Sequence, residues 1–75
     1  MKIGCPKEIK NNENRIGVTP NAAHAYIQAG HEVYIEKGGG LGSAITDDEY
    51  IKVGAKILPT AEEIWNVAEM IIKVK

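Results

Sequence analysis

Every threonine in this 75-residue chain stands where a helix can begin. Thr19 precedes Pro20, Thr46 precedes Asp47-Asp48-Glu49, and Thr60 precedes Ala61-Glu62-Glu63. A threonine hydroxyl just before a helix accepts one of the first unpaired backbone N–H groups, and proline is preformed for the first helical position. A glutamate three residues after the threonine can return the bond, which makes Thr46 and Thr60 capping-box threonines. The acidic residues behind both also suit the positive end of the helix dipole. Gly30 and Gly54 are stop signals for the first two helices.

Residues 2–5, 31–36, 55–58 and 70–75 read as strands, and 16–18 reads as another strand or as an extended connector. The first helix is expected over 20–29 with Ala22, Ala25, Tyr26 and Ala29 on one face. The second is expected to run to about Val53, and the third through Ile64, Trp65 and Ala68. Strands alternating with helices at this spacing predict an α/β fold: a mostly parallel sheet with flanking helices, Rossmann-like or flavodoxin-like. A parallel sheet needs cover on both faces, and three short helices give little. The expectation is therefore an incomplete domain, residues 1–75 forming the N-terminal part of a larger one.

Composition removes several classes of function. A net charge of -1 with no basic cluster and no series of stacking aromatics argues against nucleic acid as a partner. One cysteine cannot form an internal disulfide, and no Cys/His group has metal-ligand spacing, so no metal site is expected. The apolar runs are too short to cross a bilayer and residues 1–20 lack a long apolar core, so the expected setting is cytoplasmic, with no membrane partner.

The polar stretch from Gly4 to Pro20 is the strongest pointer to chemistry. Pro6 ends the first strand, and a loop of about ten residues then carries Lys7, Glu8, Lys10, Glu13 and Arg15 before the chain turns apolar at Ile16 and Val18. In open parallel sheets ligands sit beyond the carboxyl ends of the strands. Arg15 follows the first strand and Lys75 ends the last, so adjacent strands would bring the two cations to one rim. A guanidinium grips a carboxylate through two parallel hydrogen bonds, and an ammonium adds a compact charge, a pairing that suits a small α-keto or α-amino acid. The alternative is that both are solvated surface residues. Lys73 is a second ligand contact, a solvated residue or an ion-pair partner. Glu8 and Glu13 either buttress Arg15 or are free loop carboxylates.

Gly38-Gly39-Gly40-Leu41-Gly42-Ser43 follows a strand and puts Gly38, Gly40 and Ser43 at the positions of a dinucleotide fingerprint. The next helix starts only near Asp47, so the loop does not open into the helix end that would hold a pyrophosphate, and no cofactor-binding residue is assigned here. His24 and His31 have no evident partner and read as surface or capping residues. Cys5 reads as a core residue rather than a nucleophile, and Trp65 and Tyr26 as core anchors.

Gly4, Pro6, Glu8, Asn12-Glu13, Arg15, Thr19-Pro20 and Ala29-Gly30 together resemble the N-terminal signature of the alanine dehydrogenase and nicotinamide nucleotide transhydrogenase family. The resemblance continues through Gly30-His31-Glu32-Val33, Gly42-Ser43, Asp47 to Tyr50, Gly54-Ala55 and Lys73-Val74-Lys75. Cys5, Gly17 and Ala23 depart from it, where an aliphatic residue, Ala and Val are usual. The Lys-Val-Lys ending is similar to the alanine dehydrogenase branch, since transhydrogenases typically carry Asn where Lys75 stands. The resemblance implies that Arg15 and Lys75 bind pyruvate or L-alanine, and that this segment belongs to a substrate-binding domain of a longer chain. It also implies that NAD is bound by a downstream domain, that the catalytic histidine and aspartate lie beyond residue 75, and that the full protein is a hexamer. On that reading no catalytic residue lies within these 75, and the segment alone is inactive.

Overall fold

A computed structural model describes residues 1–8 and 15–74. Its elements follow the alternation in the sequence: β1 (Lys2–Cys5), α1 (Pro20–Gln28), β2 (Glu32–Glu36), a 3-10 turn (Leu41–Ser43), α2 (Asp47–Lys52), β3 (Lys56–Leu58), α3 (Ala61–Val67) and β4 (Met70–Ile71). Each helix start is capped by its threonine, but the reciprocal bond of a capping box forms at Thr46 and not at Thr60, where Glu63 does not reach back. Thr19 Oγ1 accepts from Ala22 N at 3.2 Å, Thr46 Oγ1 from Glu49 N at 3.4 Å with the Glu49 side chain returning the bond, and Thr60 Oγ1 from Glu63 N at 3.2 Å. Each such cap contributes about 1 kcal/mol. Gly30 and Gly54 take the left-handed φ values of 96° and 101° that stop a helix without a Cβ clash.

The four strands form one parallel sheet in the order β3-β2-β1-β4. Ile3 and Cys5 pair with Val33 and Ile35, and Ile3 and Gly4 pair with Met70 and Ile71. Side chains alternate between the faces. Cys5, Val33 and Ile35 are buried with Val18, Ala23, Tyr50 and Ala55, so α1 and α2 cover that face. Gly4 faces the other way, where a Cβ would lie 2.7 Å from both Ile64 Cγ2 and Ala68 Cβ. Glycine thus lets α3 settle on β1, and fully burying Ile64 there is worth about 1.5–3 kcal/mol.

Several expectations shift by a register or a turn. Residues 16–18 are a connector that bends at Gly17 and Val18, not a strand, and β4 closes at Ile71 rather than running to the end of the chain. The inner face of α1 is Ala22, Ala23, Tyr26 and Ile27, whereas Ala25 and Ala29 are exposed, because bulky Ile27 seeks the core ahead of small alanines. Trp65 is 56 % exposed and is no core anchor: the inward residues of α3 are Ala61, Ile64, Val67 and Ala68, and the next position after Ile64 points about 100° away. Tyr26 does pack against the core.

Candidate functional site

Strand order reverses between β1 and β4, since β2 and β3 lie on one side of β1 and β4 on the other. In open parallel sheets the crevice beyond the carboxyl ends at such a reversal is where ligands sit. Pro6, Lys7 and Glu8 leave β1 at this point, and Ile72, Lys73 and Val74 leave β4 beside them. The sheet therefore sets the carboxyl ends of β1 and β4 side by side, the ends after which Arg15 and Lys75 come in the sequence. Arg15 is exposed on the connector that returns toward α1; Lys75 and Glu13 lie outside the described residues.

The connector approaches the chain just past β4 closely. A Cβ at Gly17 would sit 2.8 Å from the Ile72 carbonyl oxygen and 3.0 Å from Lys73 Cα, so only a glycine hydrogen fits without movement. Arg15 stands two residues before this contact and Lys75 two residues after Lys73. From the opposite side Tyr50 Oη donates to the Val18 carbonyl oxygen at 2.6 Å, fastening the connector to α2. Burial, reinforced by nearby Cys5, Glu49 and Asp47, pushes the Tyr50 hydroxyl well above the ordinary tyrosine range, so it stays a donor.

Two carboxylates join the strand ends along this rim. Glu36, at the end of β2, accepts from Lys7 N at 2.7 Å, and Glu8 accepts from Val74 N through Oε2 at 2.9 Å. Lys37 N donates to Leu58 O at 2.8 Å and Ile72 N to Gly4 O at 3.0 Å, which completes the tie from β3 to β4. Glu8 is buried, 8 % exposed, and is not the free loop carboxylate that its sequence context allowed. Nothing in the local sequence marks Glu8 as a tie; the sheet order, which sets β1 beside β4, does. Lys73 is exposed.

The remaining candidates have structural roles. Burial pushes the Cys5 thiol up to about 11, against partial opposition from the backbone N–H groups of Val18 and Gly17, so it is protonated and inert near neutrality. In the glycine turn, a Cβ on Gly39 would meet the Glu36 carbonyl at 2.9 Å, and one on Gly40 would meet Ile45 Cβ at 2.9 Å and Tyr50 Cε2 at 3.0 Å. Asp47 Oδ1 already accepts from Gly38 N at 2.9 Å, placing a negative group where a phosphate would need donors. The residues of this turn thus do not fit a dinucleotide pyrophosphate. His24 is exposed, and His31 Nδ1 lies 3.2 Å from the amino terminus. Among the described residues no group of three or more His, Cys, Asp or Glu could hold a metal ion, and no helix is long and apolar enough to cross a membrane.

Residues 4–75 match the family described as "Alanine dehydrogenase/PNT, N-terminal domain". The chain belongs to the alanine dehydrogenase/PNT family. It is 67% identical over 75 residues to an alanine dehydrogenase of Methanococcus maripaludis and 53% identical to one of Staphylococcus epidermidis, covering all of this chain and 20% of each relative. Among solved structures it superposes on an L-alanine dehydrogenase with a TM-score of 0.93 at 42% identity, covering 97% of this chain and 20% of that one. A transhydrogenase from Sinorhizobium meliloti gives a TM-score of 0.90 at 34% identity, covering 97% and 21%. The chain spans about a fifth of the length of these alanine dehydrogenase/PNT relatives, and both branches share its fold.

Proposed function

We propose that this chain is the N-terminal substrate-binding segment of an NAD-dependent L-alanine dehydrogenase, which interconverts L-alanine, NAD and water with pyruvate, ammonium and NADH. The observation that carries the reading is the adjacency of β1 and β4 at the reversal of strand order, with Gly17 closing the Arg15 connector onto Ile72 and Lys73. Arg15 grips the substrate carboxylate in a two-pronged fashion, and Lys75 meets the carbonyl or imine side and orients the reacting carbon. Holding a small acid in this way lowers the barrier by positioning and by stabilising developing charge.

NAD supplies hydride exchange when bound, and its domain belongs to the part of the full-length protein beyond this segment. The misfit of the glycine turn to a pyrophosphate supports that division. The acid/base residues lie beyond residue 75 as well, so the segment by itself is inactive. The full protein is a cytoplasmic hexamer on this reading.

A second reading, the α subunit of a nicotinamide nucleotide transhydrogenase, is supported by the structural likeness to the S. meliloti protein. Lysine at position 75 favours the dehydrogenase. The deciding experiment is an assay of the full-length protein for L-alanine-dependent NADH formation. Arg15→Lys is expected to raise the KM for pyruvate about tenfold and to lower turnover, because the two-pronged grip is lost. Lys75→Ala is expected to lower kcat about a hundredfold with NAD affinity unchanged. No NADH from alanine, or unaltered kinetics in Arg15→Lys, overturns the reading. Hydride exchange between two nicotinamide dinucleotides that ignores alanine would establish the second one.

A further inference from the structure

We infer that Glu8 is a positioning residue for the substrate site: its buried carboxylate holds the chain at Val74, and through it sets the place from which Lys75 reaches the substrate. The inference rests on the proposed pairing of Arg15 with Lys75 and adds to it the group that holds the chain at the residue before Lys75.

β4 is only two residues long, and beyond Ile71 the ladder with β1 contributes the bond from Ile72 N to Gly4 O. A strand that short does not by itself orient a side chain four residues past its last paired position. The next fixed point is Val74, whose N–H is taken by Glu8 Oε2 at 2.9 Å, across 66 positions of sequence. Glu8 in turn follows β1 by three residues and is 8 % exposed, in contrast with its neighbour Lys7 and with Lys73, both exposed. A carboxylate taken out of water is costly unless its oxygens find donors, so burial at this spot implies a built contact rather than a chance one. Lys7 is held independently, its N–H donating to Glu36 Oε1 at 2.7 Å, so the segment that presents Glu8 is anchored to β2 before it reaches across to β4. The bond spans the point where strand order reverses, and it joins the same two chain segments that supply Arg15 and Lys75.

The role requires an acceptor at that position, and a neutral amide oxygen can serve. In the full-length protein, Glu8→Ala is expected to raise the KM for pyruvate about tenfold, the low end for losing a charge-assisted hydrogen bond, with the KM for NADH unchanged. Glu8→Gln, which keeps an oxygen at the same reach, is expected to restore most of that loss. Hydrogen exchange at the Val74 amide supplies a measurement that does not depend on turnover: protected in the wild type and in Glu8→Gln, fast in Glu8→Ala. If Glu8→Ala does not fold, Glu8→Asp, shorter by one methylene, is expected to give an intermediate rise in pyruvate KM and intermediate protection. Wild-type pyruvate KM in Glu8→Ala, equal rises for pyruvate and NADH, a Glu8→Gln variant as impaired as Glu8→Ala, or an unprotected Val74 amide in the wild type each overturns the inference. A wild-type enzyme with no activity toward alanine fails the functional proposal instead, and the exchange result still decides whether Glu8 holds Val74.

Discussion

The turn after β2 and the segment after β1 leave the same rim of the sheet, and they are held by different means. The turn after β2 is glycine-rich and, beyond its short-range bonds such as Gly38 N to Asp47, is fixed by close packing: Gly39 lies against the Glu36 carbonyl and Ile16, and Gly40 against Ile45 and the ring of Tyr50. The segment after β1 is charged and is fixed by hydrogen bonds, with Glu36 taking Lys7 N and Glu8 taking Val74 N. A run of glycines beside a strand end can therefore mean that a backbone needs room against its own core, with no ligand involved. At the neighbouring strand end it is hydrogen bonds from backbone N–H groups to Glu36 and Glu8 that set the path of the chain.

The contrast is broken most severely by filling the glycine turn. Gly40 has an ordinary backbone, φ -94° and ψ -3°, so an alanine there is opposed by space alone. Its Cβ would lie 2.9 Å from the Ile45 carbonyl oxygen and 3.0 Å from Tyr50 Cε2, and Tyr50 cannot swing away while its hydroxyl holds Val18. Overpacking of this kind costs about 1–3 kcal/mol. Gly40→Ala in the full-length protein is expected to lower the thermal midpoint by several degrees and leave the NADH dissociation constant unchanged in the fraction that remains folded. A weakened dinucleotide affinity with an unaltered midpoint would restore the turn as a phosphate site.

Tyr50→Phe tests the link between the two regions. It removes the hydroxyl and strands the buried Val18 carbonyl, a loss of about 1–2 kcal/mol that shows as a lower urea midpoint. Because Val18 follows Arg15 by three residues, the pyruvate KM is expected to rise about threefold as well. A stability loss with no change in KM would mean that the connector near Arg15 is held from β4 through Gly17 and not from α2.

The sequence made the fold legible wherever one physical rule acted on adjacent residues. Thr19, Thr46 and Thr60 announce their helices because a cap is a local bond, and Gly30 and Gly54 announce the stops because a left-handed φ is a local demand. Spacing does not find the inner face of α1, nor does aromatic character find the exposure of Trp65, because which of several adjacent apolar residues turns inward depends on the sheet beneath, here on the space above Gly4 and on the size of Ile27. The polar loop drew attention to Arg15, but Glu8 and Gly17 acquire their roles from β1 lying beside β4, a pairing of residues more than 60 positions apart. No local pattern distinguishes a carboxylate that will find Val74 N–H from one that will face water.

The smallest effect probes how dry the end of β1 is, just before the chain turns polar. Cys5 is fully buried, and its thiol is raised from an ordinary 9.0 to about 11, chiefly by burial. A folded-state value above the unfolded one means that the unfolded chain gives up its proton first as pH rises. The contribution to stability is complete below 9.0 and is lost progressively toward 11. Between about pH 8 and pH 9.5 the loss amounts to somewhat under about 1 kcal/mol, small enough that it must be read as a difference between proteins. The urea midpoint of the full-length wild type is expected to fall more steeply over this interval than that of Cys5→Ala, which has no thiol to titrate. Tyr50 shifts in the same direction, but its loss begins only near its ordinary value of 10.0 and is common to both proteins. Parallel slopes would mean that water reaches Cys5 from the rim, and the boundary between the packed strand and the hydrogen-bonded segment would then lie deeper than Pro6.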